Sequence, residues 1–143
     1  MEFNDDAKTV ILHAQDVALD FEDAFISPDH ILLALLRDEN GEVCQVLSTV
    51  GMVPAKFKSE LLFNMKKGLK PPPEEMGLGP DAKRAFDWTY EEMSMLRSDA
   101  LAPRHVLLGV MRQGKNKGTR ILQEHGITVS MVRDAVKKMN PAK

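Results

Sequence analysis

The chain has 143 residues (16.0 kDa), 43% of them hydrophobic and 28% charged, a soluble composition whose core needs neither metal nor disulfide to hold it. The single Cys44 excludes an internal disulfide. No apolar run approaches the roughly 18 residues of a membrane helix, and the acidic opening Met1–Asp6 lacks the apolar stretch of a secretory signal, so a cytoplasmic protein with no membrane contact is expected. A net charge of −2 and a pI near 6.1 argue against nucleic acid as a partner.

In chain order, Asn4 can N-cap a first helix running to about Leu19, with Ala7, Val10, Ile11, Ala14, Val17 and Ala18 at helical spacing. Ser27-Pro28, a cap followed by proline at the first helical position, opens a second. Ile31–Leu36 behind it is apolar on every side and predicts a central, buried helix. Val43, Val46, Leu47 and Val50 predict a short third helix stopped by Gly51. Pro54 opens a fourth, with Phe57, Leu61, Leu62 and Met65, ended by Gly68. Residues 69–78, with three consecutive prolines, read as a linker. Pro80 then opens a helix with Ala82, Ala85, Phe86, Thr89 and Met93 on one side, and Pro103 opens a buried one over Val106–Met111. Ile121 and Leu122 lie on a third, stopped by Gly126; Thr128 caps a fourth, with Met131, Val132, Ala135 and Val136 facing inward. No stretch alternates at period two, so the expected fold class is all-α, with eight helices and no sheet.

The last four helices repeat the first four. A gapless shift of 75 positions lays Asp6-Ala7-Lys8 on Asp81-Ala82-Lys83, Pro28, His30, Leu32 and Leu33 on Pro103, His105, Leu107 and Leu108, and Gly51 on Gly126. The identities fall at caps and buried faces. The chain therefore divides into repeat 1 (1–68), a linker (69–78) and repeat 2 (79–143), expected to pack by pseudo-twofold symmetry into one compact unit that buries both central helices. Gly109 stands at the position of Ala34, and a small residue there predicts a close helix crossing. Charge is uneven: residues 1–70 carry 7 Lys/Arg and 12 Asp/Glu, residues 71–143 carry 12 and 9. This reads either as drift between solvated faces or as two halves that offer different surfaces.

No catalytic constellation emerges. His30 and His105 share a repeat position, the second residue after a helix-opening proline, which points to an imidazole closing the first turn by hydrogen bonds. His13 and His125 are isolated, and no histidine has ligand spacing with a cysteine or carboxylate, so neither metal nor cofactor is expected. Cys44 matches Thr119 in the other repeat and reads as a small buried residue rather than a nucleophile. Gly114–Gly118 reads as a loop and Glu91-Glu92 as solvated surface. Lys66-Lys67 with Lys70, and Lys137-Lys138, read as cations at the C-termini of the fourth helices. Trp88 and Tyr90 read as core or rim residues, and Met93, Met95 and Met111 as a possible adaptable surface for peptides. The chemistry left is recognition. A helix-turn-helix DNA binder is the rival module, disfavoured by the acidic pI and the lack of a basic recognition helix.

The doubled motif resembles a known family. Ser27-Pro28-Asp29-His30-Ile31-Leu32-Leu33-Ala34-Leu35-Leu36 and Pro103-Arg104-His105-Val106-Leu107-Leu108-Gly109-Val110 are similar to the signature of the Clp repeat, which builds the N-terminal domain of Clp-family AAA+ unfoldases, and the even spacing most resembles the ClpC branch. The resemblance implies an eight-helix domain that docks substrate proteins and adaptor proteins above an AAA+ ATPase ring, indirectly serving ClpP, and that is not itself an enzyme. It implies a cytoplasmic location, or the plastid stroma in a plant. Such a domain can be the start of a longer unfoldase or a stand-alone accessory protein that modulates a Clp protease. In the ClpC branch each repeat can bind phosphoarginine, through the acidic residue of a Glu-His pair and a hydroxyl residue near the start of the first helix. Here Asp29 and Asn4 stand at those positions in repeat 1. In repeat 2 Arg104 and Gly79 replace them, which implies a degenerate site, because a cation repels a guanidinium.

Overall fold

The computed structural model describes residues 5–66, 68 and 77–139. Asn4 and the three prolines of the linker lie outside the described residues. Eight helices follow one another among the described residues: α1 (Asp5–Asp20), α2 (Pro28–Leu35), α3 (Glu42–Thr49), α4 (Pro54–Asn64), α5 (Pro80–Met95), α6 (Pro103–Gln113), α7 (Lys117–Glu124) and α8 (Val129–Met139). The only strand-like feature among them is a single parallel bridge, Ile26 to Leu78, which ties the turn before α2 to the turn before α5. All six residues of Ile31–Leu36 are buried, as are Val106, Leu107, Leu108, Val110 and Met111, so the two apolar stretches form the centre of the molecule.

The contacts between helices of different repeats come in exchanged pairs. α1 packs on α6 and α5 on α2; α2 packs on α7 and α6 on α3; α3 packs on α8 and α7 on α4; α2 and α6 meet each other. Adding four to every label, modulo eight, maps this set onto itself, which is a pseudo-twofold axis between the repeats. Details repeat as well. α1 and α5 end in the same left-handed residue, Glu22 (φ 55°) and Arg97 (φ 54°). In each case the next backbone N–H reaches back over the last turn, Asp23 to the Ala18 carbonyl and Ser98 to the Met93 carbonyl, both at 3.0 Å.

The close crossing expected at Gly109 is with α5. A Cβ there would run into Thr89 Oγ1 and the Ala85 carbonyl oxygen. The buried Thr89 hydroxyl is itself tied down, donating to that same carbonyl at 2.8 Å. Gly109→Ala is therefore expected to cost about 1–3 kcal/mol by overpacking, and Thr89→Ala to recover part of the loss by removing the nearest obstacle. Urea unfolding of the single and double variants checks this; equal stability of Gly109→Ala and wild type would refute the crossing.

Several expectations are corrected. α4 ends at Asn64, four residues short of Gly68. The Asn64 side chain bonds back to the Glu60 carbonyl, and Gly68 N–H instead donates to the Phe21 carbonyl at 2.7 Å, pinning the returning chain against the α1–α2 turn. Lys117 of repeat 2 places a cation at the end of α4, its Nζ donating to the Asn64 carbonyl at 2.6 Å, while Lys67 and Lys70 lie outside the described residues. The expected loop is shorter: it comprises Gly114, left-handed at φ 77° at the end of α6, Lys115 and Asn116, while Lys117 and Gly118 lie in the first turn of α7. Met131, expected inside, is 40% exposed.

Candidate functional site

Both central helices start with the same device. In α2 the N-cap Ser27 donates its backbone N–H to His30 Nδ1 at 2.9 Å, and its hydroxyl lies 3.1 Å from the same nitrogen. Because Nδ1 accepts, the proton sits on Nε2, which donates to Asp23 Oδ2 at 2.7 Å. In α6 the backbone N–H of Ala102 donates to His105 Nδ1 at 2.9 Å. Each imidazole closes the first helical turn, as the sequence suggested. Ser27, His30 and Asp23 have the composition of a hydrolytic triad, but the Nδ1 lone pair a base would need already binds the backbone. Repeat 2 makes the same contact with no hydroxyl at all, so the string is a helix cap. Burial pushes the pKa of His30 down, against the hydrogen bond and charge of Asp23 and the charge of Asp29. Burial, with the neighbouring Arg104 charge, pushes His105 down to about 4, against the charge of Glu92.

Asp29, the second residue of α2, lies at the seam between the repeats. Its two oxygens accept from the first backbone N–H groups of α7, Oδ2 from Lys117 at 3.1 Å and Oδ1 from Gly118 at 2.9 Å, so it caps that helix from the other repeat. Gly118 permits the approach, since a Cβ there would strike Leu32. Beside this cap is a groove of about 510 Å³, lined among others by Asp23, Phe25, Asp29, Met65, Lys66 and Lys117. Carboxylates and ammonium groups thus share one cavity with an aromatic ring that is 49% exposed. Lys66 and Lys117 were not read from the sequence as members of this site, because Lys117 arrives from the other repeat and Lys66 was assigned to a helix end that forms two residues earlier.

In repeat 2 the residue equivalent to Asp29 is engaged within the protein. Arg104 Nη1 donates to Glu42 Oε2 at 2.6 Å and its backbone N–H to Glu42 Oε1 at 3.1 Å. Gly79, the N-cap of α5, has no side chain to offer. It lies under the Phe25 ring of the groove just described, which a Cβ would strike. The structure thus brings Asp29 and Phe25 to one groove, sets Gly79 beneath it, and places Arg104 in a separate ion pair with Glu42 that leaves its buried Nε without a hydrogen-bond partner.

Two other places bear on chemistry. Cys44 is buried on α3, and burial together with the charges of Asp38 and Glu39 raises its pKa against Lys58, which keeps the thiol protonated and unreactive. Glu92, expected at the surface, is completely buried. It accepts from Arg133 Nε and Nη2 and from Arg112 Nη1, all at 2.8 Å, while the Arg112 guanidinium lies 4.1 Å above the centre of the Trp88 ring.

Comparisons with known proteins agree on the architecture. A family model described as the Clp repeat (R) N-terminal domain matches residues 2–125. The negative regulator of genetic competence ClpC/MecB of Bacillus subtilis is 27% identical over 134 residues, which cover 94% of this chain and 16% of that protein. The chain spans about a sixth of the length of the curated relatives it matches. The N-terminal domain of Hsp104 from Candida albicans superposes with a TM-score of 0.83 at 16% identity, covering 100% of this chain and 94% of that one. A ClpV N-domain in complex with a VipB peptide superposes at 0.77 with 14% identity, covering 94% of this chain and 84% of that one. With two four-helix repeats about a pseudo-twofold axis, a histidine closing the first turn of each central helix, and a family model matched over most of its length, the chain belongs to the Clp repeat (R) N-terminal domain family.

Proposed function

We propose that this chain is a docking module that holds other polypeptides without altering them covalently, presenting substrates and adaptor proteins to a Clp ATPase ring and, through it, to ClpP. The family match over residues 2–125 carries this reading, and a ClpV N-domain of the same fold solved with a VipB peptide supports it. Within it, the groove at Asp29 is the contact proposed for a phosphoarginine-bearing segment. Asp29 uses one lone pair per oxygen on α7 and keeps the others, so a guanidinium can pair with Asp29 and Asp23 while the phosphoryl group pairs with Lys66 and Lys117. Asn4 remains the proposed stand-in for the family hydroxyl. Repeat 2 has no such site in this proposal, because the Arg104 guanidinium already occupies Glu42.

Calorimetry with a phosphoarginine peptide and its unmodified arginine twin separates the two levels of the proposal. The modified peptide is expected to bind at one site, with affinity lost in Lys66→Ala and Asp29→Asn. Equal binding of both peptides leaves docking standing and removes phosphoarginine; no binding of either, nor of any Clp adaptor, removes the docking reading itself.

A further inference from the structure

The two polar contacts at the centre of the seam occupy positions related by the repeat, and their charges are reversed. Asp29 and Arg104 are equivalent, as are Glu42 and Lys117. By symmetry alone, the contact of Asp29 with the start of α7 should recur as a contact of residue 104 with the start of α3, and it does, with the acid and the base exchanged. As a result repeat 1 supplies both acids and repeat 2 both helix N-termini that they cap, at Lys117 and at Arg104. The outer contact between repeats runs the same way, with the acid on repeat 1: Glu60 of α4 lies 3.0 Å from Nε2 of His125, the C-cap of α7. Size follows charge. Gly118 makes room for Leu32, whereas the equivalent residue of repeat 1 is Val43.

From this we infer that the seam recognises an unlike repeat and rejects a like one. Two copies of repeat 1 meeting through this face would set Asp29 against Glu42 and Leu32 against Val43. Two copies of repeat 2 would set Arg104 against Lys117 at a helix N-terminus, where the backbone already carries positive charge. The excess of acid in the first half of the sequence and of base in the second is thereby spent partly inside the molecule, as a pairing code. It keeps each copy self-contained wherever several are held side by side.

The test starts from the folded full chain, with a protease site inserted between residues 70 and 74, cleaved after folding. The cut protein is unfolded in urea, refolded, and weighed by native mass spectrometry, which resolves the three possible pairs. The wild type is expected to recover only the pair of unlike repeats. Arg104→Asp places a carboxylate where it can cap α7 of a second repeat 2 as Asp29 does, with Gly118 leaving the space, and is expected to yield pairs of repeat 2 with itself. Arg104→Ala, which merely loses the bond to Glu42, is expected to yield none. Lys117→Glu, offering Arg104 of a second repeat 2 the acid it finds in Glu42, is expected to act as Arg104→Asp does. Like pairs in the wild type, no recovered pair at all, or failure of both reversals to exceed Arg104→Ala in like pairs overturns the inference.

Discussion

Glu92→Ala is expected to destabilise the protein by about 3 kcal/mol, the low end of what breaking a buried ion pair costs. The carboxylate is fully enclosed on α5 and takes three charge-assisted hydrogen bonds, two from Arg133 of α8 and one from Arg112 of α6. Removing it strands two guanidinium groups and leaves a void between three helices. The loss stays at the low end because the arginine side chains are 25% and 23% exposed, so water can reach them once the acid is gone. Glu92→Gln, which keeps the shape and loses the charge, should fall between. The single Trp88, with Arg112 stacked on it, supplies the signal: its fluorescence should shift in the folded variant, and urea unfolding should show a lower midpoint with an unchanged slope. A stability within a few tenths of a kcal/mol of wild type would mean that the network contributes nothing net.

Glu92 also shows what was legible in the sequence. Periodicity found the eight helices and their buried faces because each apolar stripe is bounded by Pro, Gly or a capping residue, signals that act within one or two turns. Read as half of an adjacent acidic pair, Glu92 looked solvated. Yet it falls three and seven residues after Thr89 and Ala85, on the face that α5 buries, and its repeat equivalent is Val17. The pattern held the information, and charge overruled it. The histidine caps were legible for the opposite reason, since each is a contact over three residues and occurs twice. The seam was not legible. Asp29 and Gly118 are 89 positions apart, Arg104 and Glu42 62 apart, and nothing local to either residue names its partner. Family resemblance singles out Asp29 as a binding residue and Arg104 as its degenerate counterpart, and gives no sign that both also join the repeats.

Acid should weaken the fold well before carboxylates titrate, because of the two capping histidines. His105 is neutral in the folded protein down to about pH 4, while in the unfolded chain it takes a proton near its ordinary value of about 6.5. Between those pH values the unfolded state binds more protons, so stability is fully present above about pH 6.5 and is lost as pH falls toward 4. The contribution of His105 to the loss is about 2 kcal/mol by pH 5 and about 3 kcal/mol by pH 4. His30, whose pKa is also lowered, adds to it in the same direction. Glu92, held below the ordinary carboxylate range by Arg133 and Arg112 against the effect of its own burial, contributes in a separate, more acidic window: its stabilisation is lost only as pH falls through its folded value. His105→Gln isolates the histidine effect. A glutamine at the third helical position can still accept the Ala102 N–H but cannot take the proton. Unfolding free energies from urea titrations at pH 7 and pH 5 should therefore draw together by about 2 kcal/mol in the variant relative to wild type. If the two proteins lose the same stability over that interval, the imidazole of the second repeat is not the group that senses acid.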